Sequence, residues 1–344
     1  MDNEKILSLA SACGLDVRLR AKDCNVWSST LANCTYIPFS YTNSSLDYQL
    51  AYFNGRVSDH SLLIYWENKP IAVWPFFMED LEGDENSTSN KKDSLILPPI
   101  FICNCEFLIQ KKIIKRCIFL CEEASKIFLR RSWSSQCSFD NQLGINYWHL
   151  ELISMGAKVD LFYDLFVDLR PDIATIRKAF RKSYRSLITS GEKLWKVNVL
   201  DQFDEEIWSK FQNLHSEVAG RITKPKAAWD SHLNDIKNGT GFLIYLNDSA
   251  QKMVGAGFFN FSRDEALYSV AAYKRELFDK PLGHIVQYHA IVLLKKLGVT
   301  WYKVGSKPLK FESPKPSEKE ISIGNFKQGF SSHTFPRFFL NHPV

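Results

Sequence analysis

The stretch GFLIYLNDSAQKMVGAGFFNF, residues 241–261, contains two apolar runs that flank a polar segment. The runs are long enough for strands, and the polar residues Asn247–Gln251 between them predict a turn. The same pattern occurs earlier in LLIYWENKPIAVWPFF, residues 62–77, around a turn at Glu67–Pro70. Each half of the chain is therefore predicted to contain a β-hairpin at the centre of a sheet.

Helical patterns lie beside both hairpins. They cover Gln110–Leu129 in the first half and His284–Leu297 in the second, where Gly298 is a suitable C-cap. The sequence therefore predicts sheets with helices packed beside them, an α/β (α+β) fold.

The length of 344 residues favours two domains, since a single domain usually has about 100 to 200 residues. The sharpest change of pattern lies at residues 160–171, where a strand-like segment ends and a proline opens a helix. We place the domains at 1–160 and 161–344. The similar hairpins indicate a duplicated fold.

The composition, with 45% hydrophobic and 14% aromatic residues, excludes a disordered chain. The net charge of +5 is mild, so the surface tolerates anionic partners without indicating DNA binding. Neither a signal peptide nor an apolar run of about 18 residues is present, so we expect a cytoplasmic protein without a transmembrane segment. Residues 79–93, which are acidic and then rich in Ser, Asn and Lys, predict a solvated loop.

All eight cysteines lie in the first half: Cys13, Cys24, Cys34, Cys103, Cys105, Cys117, Cys121 and Cys137. A long chain without a signal peptide usually keeps its thiols reduced. Cys103 and Cys105 are close in sequence, but no second CxxC motif or nearby histidine pair completes a zinc site. We expect buried or incidental thiols and no metal site.

A predicted helix over Asp172–Ser190 has an apolar face and a basic stripe. The apolar residues recur at helical spacing and are Ile173, Ile176, Phe180, Tyr184 and Leu187. The basic stripe contains no acidic residue and consists of Arg177, Lys178, Arg181, Lys182 and Arg185. Such a stripe suits the phosphates of a substrate or of an RNA backbone, and a merely solvated helix face is an equally weighted alternative.

The segment from Glu217 to Trp229 closes an amphipathic helix and opens a loop rich in cations. Arg221 and Lys224 are candidate ligand contacts with Trp229 as a wall, and a loop without a binding role fits equally well. Glu217 is a candidate proton acceptor.

A second loop, around Lys280 and Gly283, leads into a helix whose N-terminus would attract phosphate. His284 is a candidate general base because its ordinary pKa is near neutrality. A lone histidine at a helix start is more often structural.

Near the C-terminus, Lys327 lies between Phe326 and Phe330. A lysine that is partly desolvated by aromatic neighbours stabilises a developing oxyanion better than a lysine in water does. The alternative is a lysine whose stem covers the aromatic rings, and spacing alone favours this alternative. The chain contains no GxSxG, Walker, HExxH or Rossmann motif, so covalent serine catalysis, ATP hydrolysis and zinc chemistry have no support.

Three stretches together resemble the FemAB-like branch of the GNAT acyltransferase superfamily. They are IRKAFRKSYRSLI, then GAGFFNFS with YSVAAYKRELFDKPLGHIVQYHAIVLLKKLGVTWYKVGS, then ISIGNFKQGF, and they span most of residues 176–330. The N-terminal half, with DYQLAYFNGRVSDHSLLIYWENKPIAVWPFF, is similar to the first GNAT-like domain of such proteins.

The resemblance implies two GNAT-like domains, each a mixed, mostly antiparallel sheet flanked by helices, that transfer an acyl or aminoacyl group to an amine. The acceptor of the family is commonly a cell-wall precursor or a surface glycan. The family's active-site Phe-Lys pair matches Phe326 and Lys327, and its lysine offsets negative charge in the transition state. The resemblance thus favours a catalytic Lys327.

The acyl donor stays open between acyl-CoA and aminoacyl-tRNA, neither of which is a bound cofactor. No heptad-like helical hairpin for tRNA is visible between Trp195 and Phe242, and the GNAT pyrophosphate signature is reduced to Lys280–Gly283. We expect Arg177, Arg181, Lys182 and Arg185 to bind phosphate of a glycan or peptide precursor. The alternatives are a non-catalytic module that binds a nucleotide sugar or polyanion, and an RNA-binding protein.

Overall fold

The structure is a computed structural model that describes residues 3–79, 96–129, 133–137 and 145–342. Apart from Glu79, the loop predicted at residues 79–93 lies outside the described residues. No helix in the described ranges is both long and apolar enough to cross a membrane.

The chain divides into two compact units. One consists of Met1–Leu161 and Pro336–Val344, and the other is Phe162–Phe335. The predicted domains, 1–160 and 161–344, change at nearly the same residue. The prediction places residues 336–344 in the second domain, whereas in the structure these residues belong to the first unit. There, residues 338–342 pair antiparallel with residues 133–137.

The helices of the first unit are α1 (Asn3–Ala12), α2 (Cys24–Ala32), α3 (Asn43–Phe53), α4 (Phe107–Ala124) and α5 (Tyr147–Ser154). Its strands are β1 (Asp16–Leu19), β2 (Val57–Asp59), β3 (Leu62–Trp66), β4 (Lys69–Trp74), β5 (Phe77–Glu79), β6 (Ile100–Phe101) and β7 (Trp133–Cys137). An antiparallel sheet has the order β1-β3-β4-β6, and β2 pairs with β5. A π-helix, Ser125–Leu129, continues α4, so together they cover the predicted helix.

The hairpin predicted at residues 62–77 is confirmed by β3 and β4. Its turn is tighter than predicted, because Glu67 and Asn68 have positive φ angles of 51° and 63°, as a two-residue type I′ turn requires. The two faces of this sheet carry separate cores. Residues such as Trp74 and Cys117 pack in one, and Trp27 and Leu63 in the other.

The buried thiols predicted for the first half are present at Cys13, Cys34, Cys117 and Cys121. Burial raises the pKa of Cys117 and Cys121 well above the ordinary thiol value, so these residues behave as small apolar core side chains. Among the described residues, no group of His, Cys, Asp and Glu side chains is arranged to hold a metal ion.

The second unit contains the helices α6 (Ile173–Ala179), α7 (Lys182–Leu194), α8 (Glu205–Ala219), α9 (Lys226–Lys237), α10 (Leu282–Lys296) and α11 (Glu318–Gln328). Its strands are β9 (Lys196–Leu200), β10 (Gly241–Asn247), β11 (Met253–Phe261), β12 (Glu265–Tyr273) and β13 (Trp301–Ser306). Two further strands, β8 (Lys158–Asp168) and β14 (His333–His342), pass from one unit to the other. Within the second unit the strand order is β8-β13-β12-β11-β10-β9.

The strands of this sheet are antiparallel except for β12 and β13. These two are paired in parallel only at Glu265–Leu267 and Trp301–Lys303. Both strands are fully described and continue beyond this point without pairing to each other. We call the space between Tyr268–Tyr273 of β12 and Val304–Ser306 of β13 the strand gap.

The two faces of the sheet are covered by different helices. On one face, α7 and α10 enclose a core that includes Ile188, Ile285 and Phe259. On the other face, α8 and α9 enclose a core that includes Trp208 and Phe258. The antiparallel hairpin predicted at residues 241–261 is confirmed as β10 and β11, but it lies next to the edge strand β9 rather than at the centre of the sheet.

The continuous helix predicted over Asp172–Ser190 is wrong, because the chain breaks between α6 and α7. Phe180 and Arg181 are extended, with ψ angles of 153° and 132°. The Arg181 amide donates to the carbonyl of Gly329 at 2.8 Å, and the Phe180 ring lies against Phe330. A tertiary contact with the end of α11 thus replaces a helical hydrogen bond.

Candidate functional site

The side chain of Lys327 reaches the strand gap from α11. A β-carbon at Gly305 in β13 would collide with Lys327 Nζ, so the lysine occupies the space that the glycine leaves open. On the opposite side, Lys327 Nζ lies 5.6 Å from the centre of the Tyr268 ring in β12. Burial and the nearby Lys303 both lower the pKa of Lys327, and the nearby Asp164 partly offsets this effect.

A buried ion pair stands beside Lys327. Lys303 Nζ lies 2.5 Å from Asp164 Oδ2, and Asp164 is only 1% exposed. The hydroxyl of Ser306, at the end of β13, also donates to Asp164 at 3.3 Å. Asp164 therefore forms its ion pair with Lys303, and Lys327 is a second cation that Asp164 stabilises only from a greater distance.

Three tyrosine hydroxyls lie on the face of the sheet that α7 and α10 cover, beside the gap. Tyr268 and Tyr273 hydroxyls are 2.7 Å apart, and the buried Tyr302 hydroxyl donates to Gln287 at 2.6 Å. Burial raises the pKa of Tyr268 to about 12, so this hydroxyl stays protonated and shares its hydrogen bond with Tyr273.

A β-bulge explains why both tyrosines face this gap. Residues five apart on a regular strand point to opposite faces. Tyr268 pairs with Phe259 and Val270 with Phe258, so Ser269 is an extra residue in β12. The bulge brings Tyr273 to the same face as Tyr268. Neither tyrosine is predicted as a site residue from the sequence, because the spacing YSVAAY gives no signal of the bulge.

Phe326 and His284 belong to an aromatic cluster beside the gap. The His284 ring lies 4.5 Å from Tyr184 and 5.1 Å from Phe326, centre to centre. Burial, with a smaller effect of Arg181, lowers the pKa of His284 to about 4. His284 is therefore neutral near pH 7 and too weakly basic to be an efficient proton acceptor, which favours its structural alternative.

Arg181 fixes the end of α11 that carries Lys327. Its guanidinium donates to the carbonyl of Asn325 at 3.0 Å and to the Tyr184 hydroxyl at 3.2 Å. The Tyr184 hydroxyl in turn donates to the carbonyl of Phe326 at 3.1 Å. These bonds satisfy carbonyl groups in the last turn of the helix, so Arg181 acts as a positioning residue.

The other residues of the predicted basic stripe differ in their exposure. Arg177 donates to the carbonyl of Arg185 and to the Thr189 hydroxyl and lies over the Tyr288 ring, so its charge serves the α6–α7 contact. Lys178 and Lys182 are exposed, and Arg185 is half-buried. The break between α6 and α7 separates these cations into two groups rather than one stripe.

Lys280 and Gly283 lie at the start of α10, as predicted. Gly283 is in contact with Phe326, because a β-carbon there would be 2.9 Å from Phe326 Cζ. Lys280 is exposed and forms an ion pair with Asp279 at 2.9 Å.

Four predicted site residues lie on the α8–α9 side of the sheet, away from the Lys327 face. Glu217 and Arg221 are exposed, and burial lowers the pKa of Lys224. Trp229 is 7% exposed and packs edge-on against Trp208, so it is a core residue rather than an open wall. The structure does not bring Glu217 together with Lys327 on one face.

The chain matches no protein-family model and no curated protein significantly. It is similar to the crystal structure of FemX, with a TM-score of 0.65 and 10% identity over 96% of this chain and 97% of FemX. It is also similar to L-PGS from Bacillus licheniformis, with a TM-score of 0.55 and 13% identity over 84% of this chain and 85% of that chain. A tandem GNAT protein from the clavulanic acid biosynthesis pathway gives a TM-score of 0.54 and 11% identity over 96% and 98% of the two chains. The chain therefore has a FemAB-like, GNAT-type fold.

Proposed function

We propose that the protein is an N-acyl or aminoacyl transferase that acts on an amino group of a cell-wall or surface-glycan precursor. The observation that carries this proposal is the desolvated Lys327 at the point where two parallel strands part. A positive charge held in such a site stabilises negative charge that develops during a reaction far better than it does in water. The similar folds of FemX and L-PGS support the same class of reaction.

In the proposed reaction, the neutral amine of the acceptor attacks the carbonyl carbon of the donor. The bond from that carbon to the oxygen of an ester, or to the sulfur of a thioester, breaks, and the proton that the amine loses ends on the departing oxygen or sulfur, which leaves as a hydroxyl or a thiol. Lys327 would face the oxyanion of the tetrahedral intermediate, with Phe326 as part of its apolar surroundings. Because an unprotonated amine is already a nucleophile, the protein mainly needs to orient the substrates and stabilise charge.

The phosphate groups of the substrates would bind to cations around this face. Lys182 and Arg185 are candidates for the phosphate of the acceptor, and Lys280 with the Gly283 amide for that of the donor. Acyl-CoA and aminoacyl-tRNA both remain candidate donors. Since both are cytoplasmic metabolites, we place the reaction in the cytoplasm.

An intact-mass assay tests the proposal. Amine-bearing nucleotide sugars and muramyl peptides are incubated with the protein and either acyl-CoA or charged tRNA, and a mass gain that needs one donor identifies it. Replacing Lys327 by Gln should lower the transfer rate about 100-fold while ligand binding is retained. Lys319→Gln is the matched control, because this exposed lysine lies on the same helix. Equal rates in both variants would reject the role of Lys327.

A second candidate function is non-catalytic binding of a nucleotide sugar or another polyanion, which the exposed Lys178 and Lys182 support. Binding without a mass gain for any donor would favour this function. RNA binding, the third alternative, predicts an affinity that falls steeply with salt, in proportion to the phosphates contacted. An affinity that does not depend on salt would remove it.

A further inference from the structure

A cavity of about 770 Å³ lies in the first unit, beside the edge strand β6. This volume is within the range of about 300–1,000 Å³ that is typical of small-molecule sites. All of the residues that line the cavity belong to the first unit. The cavity therefore shares no residue with the candidate site around Lys327.

The cavity forms where the sheet of the first unit ends. Strand β6 pairs with β4 only through Ile100 and Phe101. Beyond it, the chain continues as a single bridge between Cys34 and Ile102. Side chains from both cores of the unit reach this edge, including Ile114 from one and Leu97 from the other. The short strand leaves the space between these cores unfilled.

The lining of the cavity combines polar side chains with several large apolar ones. Ile114 and Trp148 lie in the wall and are buried. At the rim, Phe107, Ile145 and Leu150 line the same cavity and are 61%, 48% and 53% exposed. Three large apolar side chains that are exposed around one opening indicate a site for an apolar ligand.

One cation stands at this opening. Lys111 lines the cavity, and its Nζ lies 4.5 Å from the centre of the Phe107 ring and 4.9 Å from that of Tyr147. The two rings hold the ammonium group but supply no negative charge. The described lining contains no Asp or Glu, so the opening favours an anionic group.

We propose that this cavity binds an amphiphile with one long apolar chain and one anionic head group. The chain would lie along Ile114 and Trp148, and the head group would meet Lys111 at the opening. A carboxylate and a phosphate ester satisfy the same chemistry, and binding assays with both identify the source. This site is independent of the proposed transferase activity, so each proposal can fail without the other.

The first experiment measures binding of alkanoates to the full chain by native mass spectrometry and calorimetry, below the concentration at which they form micelles. One molecule should bind, and the Kd should fall about 15-fold from decanoate to dodecanoate, since each of the two added methylenes contributes about fourfold when it is buried. Hexadecyl phosphate and hexadecanoate compared at equal chain length show which head group binds more tightly. A Kd that does not change with chain length overturns the proposal.

Two lysines on α4 provide a matched pair of variants. Lys111→Glu should weaken alkanoate binding about tenfold, because it reverses the charge at the opening. Lys112→Glu should change the Kd less than twofold, because Lys112 lies outside the lining and over the Trp66 ring. Equal effects of the two substitutions would show that only the overall charge matters and would overturn the site.

The cysteines provide a test that needs no substitution. Cys103 lines the cavity and is exposed, whereas Cys24 is exposed but lies outside the lining. Saturating dodecanoate should slow alkylation of Cys103 at least fivefold and leave the rate at Cys24 unchanged, as measured by peptide mass spectrometry. Equal protection of both thiols, or of neither, contradicts binding in this cavity.

Discussion

Replacing Gly305 by alanine would displace Lys327 without removing it. A β-carbon at Gly305 would collide with Lys327 Nζ and would lie 2.9 Å from Cδ and 3.1 Å from Cε of the same side chain. The lysine is a flexible side chain, so it would move out of the strand gap. The φ angle of Gly305 is +145°, so alanine also strains the backbone.

The two effects have different expected magnitudes. Backbone strain of this kind costs about 1–3 kcal/mol of the free energy of unfolding. Loss of one oxyanion contact lowers a reaction rate about 100-fold or more. Gly298→Ala separates them, because Gly298 has a φ of +82° and nothing within 4 Å of its would-be β-carbon. It therefore reports strain alone.

Urea unfolding and the mass-based transfer assay measure the two effects. Both variants should lose stability, but only Gly305→Ala should lose transfer activity at a temperature where both are folded. In a Lys327→Ala background, Gly305→Ala should cause no further loss of transfer activity, because the lysine that it displaces is absent. A folded Gly305→Ala variant with the wild-type rate would refute the assignment of Lys327 to the reaction.

Three further predictions concern ionisable groups. The transfer rate should fall as the pH rises through the lowered pKa of Lys327, below the ordinary value of 10.5, because only the protonated lysine is charged; a rate that is flat to pH 10.5 contradicts this. Arg181→Ala should lower the free energy of unfolding by about 1–2 kcal/mol through its lost hydrogen bonds, whereas Lys178→Ala, at an exposed lysine, should change it by less than about 0.5 kcal/mol. Equal urea midpoints for the two variants would argue against the positioning role of Arg181. The pKa of His284 is lowered from 6.5 to about 4, so the stability that the neutral ring contributes is fully present above pH 6.5 and is lost as the pH falls to about 4. His284→Phe should reduce this loss, and a free energy of unfolding that falls with acid as steeply in the variant as in the wild type would contradict the burial of a neutral ring.

The elements that the sequence predicts well are those whose signal is local. Both hairpins and α10 are set by apolar periodicity and by turn residues within about 20 positions of each other. The break at Phe180 is different, because the bond that replaces the helical one comes from Gly329, far along the chain. Helical periodicity continues through the break, so the sequence predicts one helix where the fold has two.

Some residues of the candidate site are likewise predictable from the sequence, and others are not. Phe326 and Lys327 are predicted from the resemblance, and the structure places them at the strand gap. Tyr273 and the Lys303–Asp164 pair are not predicted, because they depend on a bulge in β12 and on a contact between residues 139 positions apart. Residues whose positions are set by distant pairing leave no pattern in a single sequence.

The ion pair beside Lys327 has an electrostatic consequence for any ligand of the gap. With Lys327 protonated, this group of three side chains carries two positive charges and one negative charge, and Asp164 is almost fully buried. An arriving anion restores neutrality and stabilises the ammonium form of Lys327. Anion binding and proton uptake at Lys327 are therefore thermodynamically linked, so the affinity for an anionic inhibitor and the proton occupancy of this lysine rise and fall together.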